Sequence, residues 1–150
     1  MRPILAILLP LSLGLAACAT DKHAYTTNPQ AIYKTMAEKY PSGKNTLIFV
    51  PAPQGFIAPK LANCAVDKGV NTGKVAAIAS ALALKTSKVF VAGQNEALTA
   101  TTVQKALAMG TKEQLDGAQL VVIGSKETQL AVSTAAAASG VTIEFIDNPN

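Results

Sequence analysis

The chain has very few of the side chains that most often carry catalysis or bind metals. It contains one histidine, two cysteines and no tryptophan, and only 15% of its residues are charged. The single histidine, His23, lies beside Asp21 and Lys22 in a polar stretch, so a metal site built from histidine and cysteine is not available. A serine nucleophile would lack a histidine base, and no Gly-x-Ser-x-Gly motif occurs. We therefore expect no metal, no catalytic residue and no enzyme.

Arginine is almost absent, because Arg2 is the only one and it lies at the extreme N-terminus. The other cations are lysines scattered along the chain. Nucleic-acid-binding proteins concentrate cations on one face and favour arginine for bidentate contacts with bases and phosphates. Scattered lysines are typical of a solvated surface, so we expect no nucleic-acid partner.

The glycines do not form a phosphate-binding loop. Gly93 and Gly124 are isolated and lack the Gly-x-Gly-x-x-Gly spacing that brings backbone amides onto a pyrophosphate. No Walker motif occurs either. The sequence therefore predicts no nucleotide site and no cofactor.

The N-terminal residues form a processing signal rather than part of a folded domain. A basic end precedes an apolar run over residues 4–15, which is shorter than the roughly 20 residues of a membrane-spanning helix. The run ends in Leu15-Ala16-Ala17-Cys18, which resembles the lipobox of bacterial lipoproteins. The resemblance implies a signal peptide over 1–17, a lipidated Cys18 and a tether over 18–28. An ordinary secretory signal, with an incidental cysteine, is the alternative.

The lipobox also implies a location. Ala19 follows the cysteine, whereas lipoproteins kept at the inner membrane of Gram-negative bacteria typically carry aspartate there. The resemblance therefore implies an outer-membrane lipoprotein, held by acyl chains such as palmitate and facing the periplasm. Each buried methylene of such a chain contributes about 0.8 kcal/mol to membrane binding.

Only Cys64 remains for thiol chemistry once Cys18 is lipidated, so no disulfide can form within the chain. Cys64 lies in an apolar pattern with Leu61 and Ala65, which favours a small buried side chain. An intermolecular disulfide is the sharper alternative.

Residues 29–150 have the length of one domain, and their pattern is typical of an α/β fold. Apolar runs predict four strands, at 46–50, 88–92, 119–124 and 141–146. The first three are nearly continuous, as in parallel strands covered on both faces, whereas the fourth alternates and is expected at an edge. We predict a small three-layer sandwich of about four mainly parallel strands with helices on both faces, Rossmann-like or flavodoxin-like.

Helical periodicity separates the predicted strands. Asn28 and Pro29 predict the start of an amphipathic helix over 29–40. Its apolar stripe consists of Ile32, Tyr33, Met36, Ala37 and Tyr40. Further helices are predicted over 59–68, 73–87, 101–109 and 126–139.

The carboxyl ends of parallel strands are where α/β domains usually bind ligands, near a switch in strand order. The expected rim consists of Gln54, Gly55, Phe56, Gln94, Asn95, Ser125 and Lys126. Turn formation and helix capping are the alternative roles of these residues. The proline-rich loop over 51–59 presents Phe56 and Ile57, and a rigid apolar loop loses little entropy on docking. We expect this loop to face a partner, the alternative being that it packs on the domain's own core.

The anchor and the missing catalytic groups predict a binding or assembly module for envelope proteins, as in a secretion, conjugation or surface-exclusion apparatus. A periplasmic small-ligand receptor, using the crevice at the carboxyl ends of the strands, is the alternative from another class. An envelope hydrolase ranks third, because it needs a base that the sequence does not display.

Overall fold

A four-stranded parallel sheet forms the centre of the protein in the computed structural model, which describes residues 28–53 and 62–149. The strands are β1 (Asn45–Val50), β2 (Lys88–Gly93), β3 (Gln119–Ile123) and β4 (Thr142–Ile146). They lie side by side in the order β1-β2-β3-β4, and all three pairings are parallel. Each strand lies within one residue of its predicted bounds, which confirms the α/β fold.

Helices connect and cover these strands. In the described residues they are α1 (Pro29–Lys39), α2 (Ala62–Asp67), α3 (Thr72–Leu84), α4 (Glu96–Met109), α5 (Lys112–Leu115) and α6 (Lys126–Ser139). The sequence predicts all but α5, a single turn closed by a capping box between Thr111 and Gln114. The bounds of α6 are those predicted.

Helix α4 begins at Glu96, five residues before its predicted start at 101. Threonine lowers helix propensity because its branched side chain loses rotamers against the preceding turn. Here the Thr99 hydroxyl donates to the carbonyl of Asn95 at 2.7 Å, and that of Thr102 donates to Leu98 at 2.7 Å. These hydroxyls are satisfied within the helix and buried, so tertiary burial outweighs the weak local preference.

The two faces of the sheet are covered differently. Right-handed crossovers between sequentially ordered parallel strands place their helices on one face, and the larger core cluster joins α3, α4 and α6 to that face. The other face packs against α1 through Ile32 and Met36, which contact a smaller cluster around Phe90 and Val121. Helices therefore lie on both faces, as predicted, but the sequential strand order contains no switch point.

Helix α1 follows its predicted start but not all of its predicted stripe. The side chain of Asn28 accepts the backbone N–H of Gln30 at 3.0 Å and caps the helix. Ile32 and Met36 are buried, as predicted. The predictions for Tyr33 and Ala37 are wrong, because both residues are exposed, Tyr33 by 59%. Helix α1 packs on the sheet through one face only, so its buried stripe is narrower than the sequence pattern.

The fourth strand lies at the edge of the sheet, as its alternating pattern predicts. Its exposure alternates along the strand, and only Ile146 is fully buried. Glu144 is on the face that α1 covers, in register with Val121 of β3. Because β4 is an edge strand, the carboxylate of Glu144 is accessible to side chains at the end of α1.

Candidate functional site

A crevice of about 480 Å³ opens beyond the carboxyl ends of β2 and β3. It lies there because α4 and α6 each begin three residues after a strand ends, so their first turns face each other. The start of α2 forms the third wall. Its lining residues are Ala62, Asn63, Asn95, Glu96, Ala97, Ala100, Thr101, Gln104, Ser125, Glu127, Thr128 and Ala131.

Two of the predicted rim residues, Asn95 and Ser125, meet in this crevice. Asn95 is buried, and its side chain accepts the N–H of Leu98 at 2.9 Å as the N-cap of α4. Ser125 occupies the N-cap position of α6, but its hydroxyl makes no capping bond. The capping role predicted for these residues is therefore filled by the side chain of Asn95 and not by that of Ser125.

The N-terminus of α6 is capped instead by Glu96 from the neighbouring helix. One carboxylate oxygen accepts the backbone N–H of Ser125 at 3.2 Å, and the other accepts the hydroxyl of Thr128 at 3.1 Å. A carboxylate at this point also offsets the positive end of the helix dipole. The amino-acid sequence does not predict this contact, since nothing in it pairs Glu96 with a segment 29 residues away.

The internal carboxylate also limits what the crevice can bind. In nucleotide-binding α/β domains, a helix N-terminus after a strand holds a phosphate with free backbone amides. Here Glu96 takes that place at α6 and contributes a negative charge of its own. Glu127 adds a second carboxylate to the lining, so the crevice is poorly suited to anions and better suited to uncharged or basic groups.

Gln94 and Lys126, also predicted for the rim, do not line the crevice. Gln94 is exposed, and its side-chain oxygen accepts the N–H of Ala52 at 2.8 Å, which ties the end of β1 to the end of β2. Lys126 is exposed on the outer side of α6. The remaining rim residues, Gln54, Gly55, Phe56 and Ile57, lie outside the described residues.

The isolated glycines serve close packing. A Cβ at Gly93 would lie 2.0 Å from the hydroxyl oxygen of Thr99 and 2.7 Å from the carbonyl oxygen of Val50. A Cβ at Gly124 would lie 3.0 Å from the methyl carbon of Thr128. Both glycines therefore let the first turn of the following helix approach the sheet, which sets the depth of the crevice.

Polar contacts hold the crevice walls together. The Thr101 hydroxyl donates to the side-chain oxygen of Asn63 at 3.0 Å, and Lys105 forms a 2.6 Å ion pair with Asp67, which together join α4 to α2. Across the other wall, the Gln104 amide donates to the carbonyl of Ala131 at 2.5 Å. The crevice is thus pre-formed, as binding sites for small molecules and peptides usually are.

Two exposed side chains lie near this region. Leu130, 75% exposed, is next to the lining residue Ala131 on α6. Cys64 is exposed on α2, one residue after the lining residue Asn63. The preferred prediction that Cys64 is buried is wrong, because the buried positions of this short helix are Ala62 and Val66.

A second polar cluster lies where α1 ends, toward the amino ends of the strands and away from the crevice. The Tyr40 hydroxyl donates to the carboxylate of Glu144, and its ring packs edge-on against Phe90 with centroids 5.0 Å apart. Burial, with added effects from the adjacent Glu144, raises the pKa of Tyr40 to about 12. The hydrogen bond from Tyr40, helped by Lys88 at 3.3 Å, lowers the pKa of Glu144. This cluster fastens the end of α1 to the edge strand.

Comparison of the chain with protein-family models, with curated proteins and with solved structures finds no match of any of these kinds. Across residues 28–53 and 62–149, no helix has the length and hydrophobicity needed to cross a membrane. The same residues contain no group of three or more His, Cys, Asp or Glu side chains placed to hold a metal ion.

Proposed function

We propose that this chain is a lipid-anchored protein of the bacterial outer membrane. Its periplasmic α/β domain binds a segment of another envelope protein in the crevice at the carboxyl ends of the strands. The observation that carries the proposal is the crevice of about 480 Å³ at the starts of α4 and α6. The anchor comes from the lipobox that ends at Cys18.

The side chains of the crevice favour binding over catalysis. Both carboxylate oxygens of Glu96 already accept hydrogen bonds from α6, which makes this group a structural bridge and a poor general base. Asn95 is likewise engaged in capping α4. What the crevice offers a ligand is a shaped surface of small side chains, with amides and hydroxyls at its margins.

A peptide segment suits this surface. Ala62, Ala97, Ala100 and Ala131 provide shallow apolar contacts, and the carboxylates of Glu96 and Glu127 favour a neutral or basic segment over an acidic one. Leu130, beside the crevice, adds an exposed apolar side chain that a protein partner would cover.

Photo-crosslinking in intact cells tests this proposal. A photoreactive phenylalanine derivative in place of Leu130 should yield an adduct with a second envelope protein. The matched control carries the same group in place of Met109, which is also apolar and 62% exposed but lies at the far end of α4. Recovery of monomer alone from the Leu130 position, or equal adducts from both positions, would contradict the proposal.

The crevice itself is tested by filling it. Ala131→Trp places a large side chain in the crevice from an exposed position, so it should abolish the adduct formed through Leu130 while the protein still accumulates. If Ala131→Trp leaves the adduct unchanged, the partner binds elsewhere on the domain.

The anchor needs its own experiment. The mature protein from fractionated membranes should have the mass of residues 18–150 plus lipid. Cys18→Ala should lose that species, and the precursor should accumulate. An unlipidated soluble product from both the wild type and Cys18→Ala would contradict the proposed lipid anchor and leave only the proposed binding domain.

A small-ligand receptor is the second candidate, and the size of the crevice favours it, since such sites usually enclose about 300–1,000 Å³. Saturation with a true ligand would raise the melting temperature, because binding to the folded state alone stabilises it. A thermal-shift screen of neutral and basic envelope metabolites, repeated with Ala131→Trp, separates this candidate from a protein-binding module.

A further inference from the structure

A second cavity, of about 320 Å³, lies at the amino ends of the strands, at the opposite edge of the sheet from the crevice. It is formed by the loop before β1, the turn between α3 and β2, and the start of β3. Its lining residues are Tyr40, Ser42, Gly43, Lys44, Asn45, Lys85, Thr86, Ser87, Lys88, Gly117 and Gln119.

Three lysines line this cavity, Lys44 from the loop before β1, Lys85 from the turn between α3 and β2, and Lys88 from the start of β2. Lys88 is partly neutralised, since its ammonium lies 3.3 Å from the carboxylate of Glu144 and 4.4 Å from the centre of the Tyr40 ring. Within residues 28–53 and 62–149, no carboxylate lies within 4.0 Å of the ammonium of Lys44 or Lys85. The cavity therefore concentrates positive charge that the described part of the protein does not compensate.

The backbone at Lys85 provides an independent observation. Lys85 ends α3 in the left-handed conformation, with φ 53° and ψ 18°. Glycine is the usual residue there, because a Cβ in this conformation costs about 1–2 kcal/mol. Among residues 28–53 and 62–149, the Lys85 ammonium makes a single hydrogen bond, a long one of 3.4 Å to the carbonyl of Glu113. This contact is too weak to explain a lysine at a strained position, and strained residues cluster at functional sites.

We propose that this cavity at the amino ends of the strands binds a phosphate monoester, with Lys44 and Lys85 as the charged contacts. A phosphate monoester is close to a dianion at neutral pH, so it matches two uncompensated ammonium groups better than a single carboxylate does. Lysine binds phosphate as a point charge, and the hydroxyls of Ser42 and Thr86 add neutral donors to the lining. The concave shape suits one phosphate group and a small organic group esterified to it.

Calorimetric titration of the full-length protein with glycerol 3-phosphate and with inorganic phosphate, at low ionic strength, tests the site. Saturable binding should appear and should weaken as salt is added. Lys44→Gln should reduce the affinity about tenfold, the effect expected when a charge-assisted hydrogen bond is lost. Lys68→Gln makes the same charge change at an exposed lysine outside the cavity, and it should leave the affinity unchanged.

Lys85→Gly distinguishes a ligand-binding role of Lys85 from a purely structural one. The substitution removes both the backbone strain and the ammonium, so the midpoint of urea denaturation should stay the same or rise while the affinity for glycerol 3-phosphate falls about tenfold. The proposal is wrong if neither phosphate probe binds saturably, if Lys68→Gln weakens binding as much as Lys44→Gln, or if Lys85→Gly binds as tightly as the wild type.

The source of the phosphate group is decided by one further titration. Dihexanoyl phosphatidic acid, below its micellar concentration, carries the same monoester on a lipid. Affinity equal to that of glycerol 3-phosphate indicates that a soluble phosphate suffices, whereas much tighter binding of the lipid identifies a lipid headgroup as the ligand. Either result supports phosphate recognition by the cavity.

Discussion

At the carboxyl edge of the sheet, Glu96 reaches from α4 to α6 and satisfies the backbone and hydroxyl donors it finds there. At the amino edge, Lys44 and Lys85 face a cavity in which no described carboxylate pairs with them. At one end of the strands a carboxylate is thus held by hydrogen bonds within the protein, and at the other end two ammonium groups have no carboxylate partner among the described residues.

This difference has a physical consequence for ligands. A site whose polar groups are already hydrogen-bonded selects mainly by shape, because a ligand would compete with bonds already made within the protein, and the carboxylates of the crevice disfavour an acidic ligand. An uncompensated cluster of cations selects by charge, and its binding weakens with salt. This difference underlies the two proposed ligands, a peptide segment at the crevice and a phosphate monoester at the cavity.

The largest effect is expected from Gly93→Ala, at the end of β2. The added methyl group would overlap the hydroxyl of Thr99 and the carbonyl of Val50, so α4 must move away from the sheet. We expect a loss of about 3 kcal/mol in the free energy of unfolding, measured by urea denaturation. The shape of the crevice should change, whereas the cavity at the amino ends of the strands should not.

Gly73→Ala is the matched control, because nothing lies within 4 Å of a Cβ at Gly73 in α3. There alanine should be neutral or should stabilise the protein by up to about 1 kcal/mol. Equal destabilisation by the two substitutions would mean that close packing at Gly93 does not set the position of α4.

A smaller effect is expected from Glu96→Gln. The amide oxygen can still accept the N–H of Ser125 and the amide NH2 can donate to the hydroxyl of Thr128, but the charge is lost, so the free energy of unfolding should fall by about 1 kcal/mol. Glu38→Gln makes the same change in an exposed pair with Lys34 at 3.9 Å, where about 0.5 kcal/mol or less is expected. Similar losses in the two variants would show that the carboxyl edge is not held by Glu96.

The smallest effect is expected from Tyr40→Phe, at the amino edge. The pKa of Tyr40 is about 12 in the folded protein, against an ordinary value of 10.0. The unfolded chain therefore loses this proton first, and the stability contributed by Tyr40 is complete below pH 10 and disappears as the pH rises to 12. The variant should lose less stability over this range than the wild type.

Urea denaturation at pH 8, 10 and 11 measures this difference, which should be below about 1 kcal/mol because the contact with Glu144 is partly exposed. At acid pH the sign is opposite. The pKa of Glu144 is lowered, so its contribution is present above its ordinary pKa and is lost as the pH falls through the lowered value. Identical pH profiles for wild type and variant would contradict the assigned hydrogen bond.

Much of the fold follows from local patterns. The strands were predictable because each is a short apolar run that ends at a turn, and α1 was predictable from Asn28 and Pro29 at its start. The early start of α4 was not, since buried threonines at 99 and 102 are weak helix formers by themselves. Asn95 and Ser125 line the crevice, whereas the bridging role of Glu96 could not be predicted because its partners are distant in the chain.

The amino-acid sequence alone predicts the element types, the parallel sheet and the position of Asn95 and Ser125 after their strands. These depend on periodicity and on residues close together in the chain. Only the tertiary structure decided the sequential strand order, the exposure of Tyr33 and Cys64, and the charge balance at each edge. Those properties depend on which distant side chains meet, because hydrogen bonds and ion pairs act over a few ångströms of space and not along the chain.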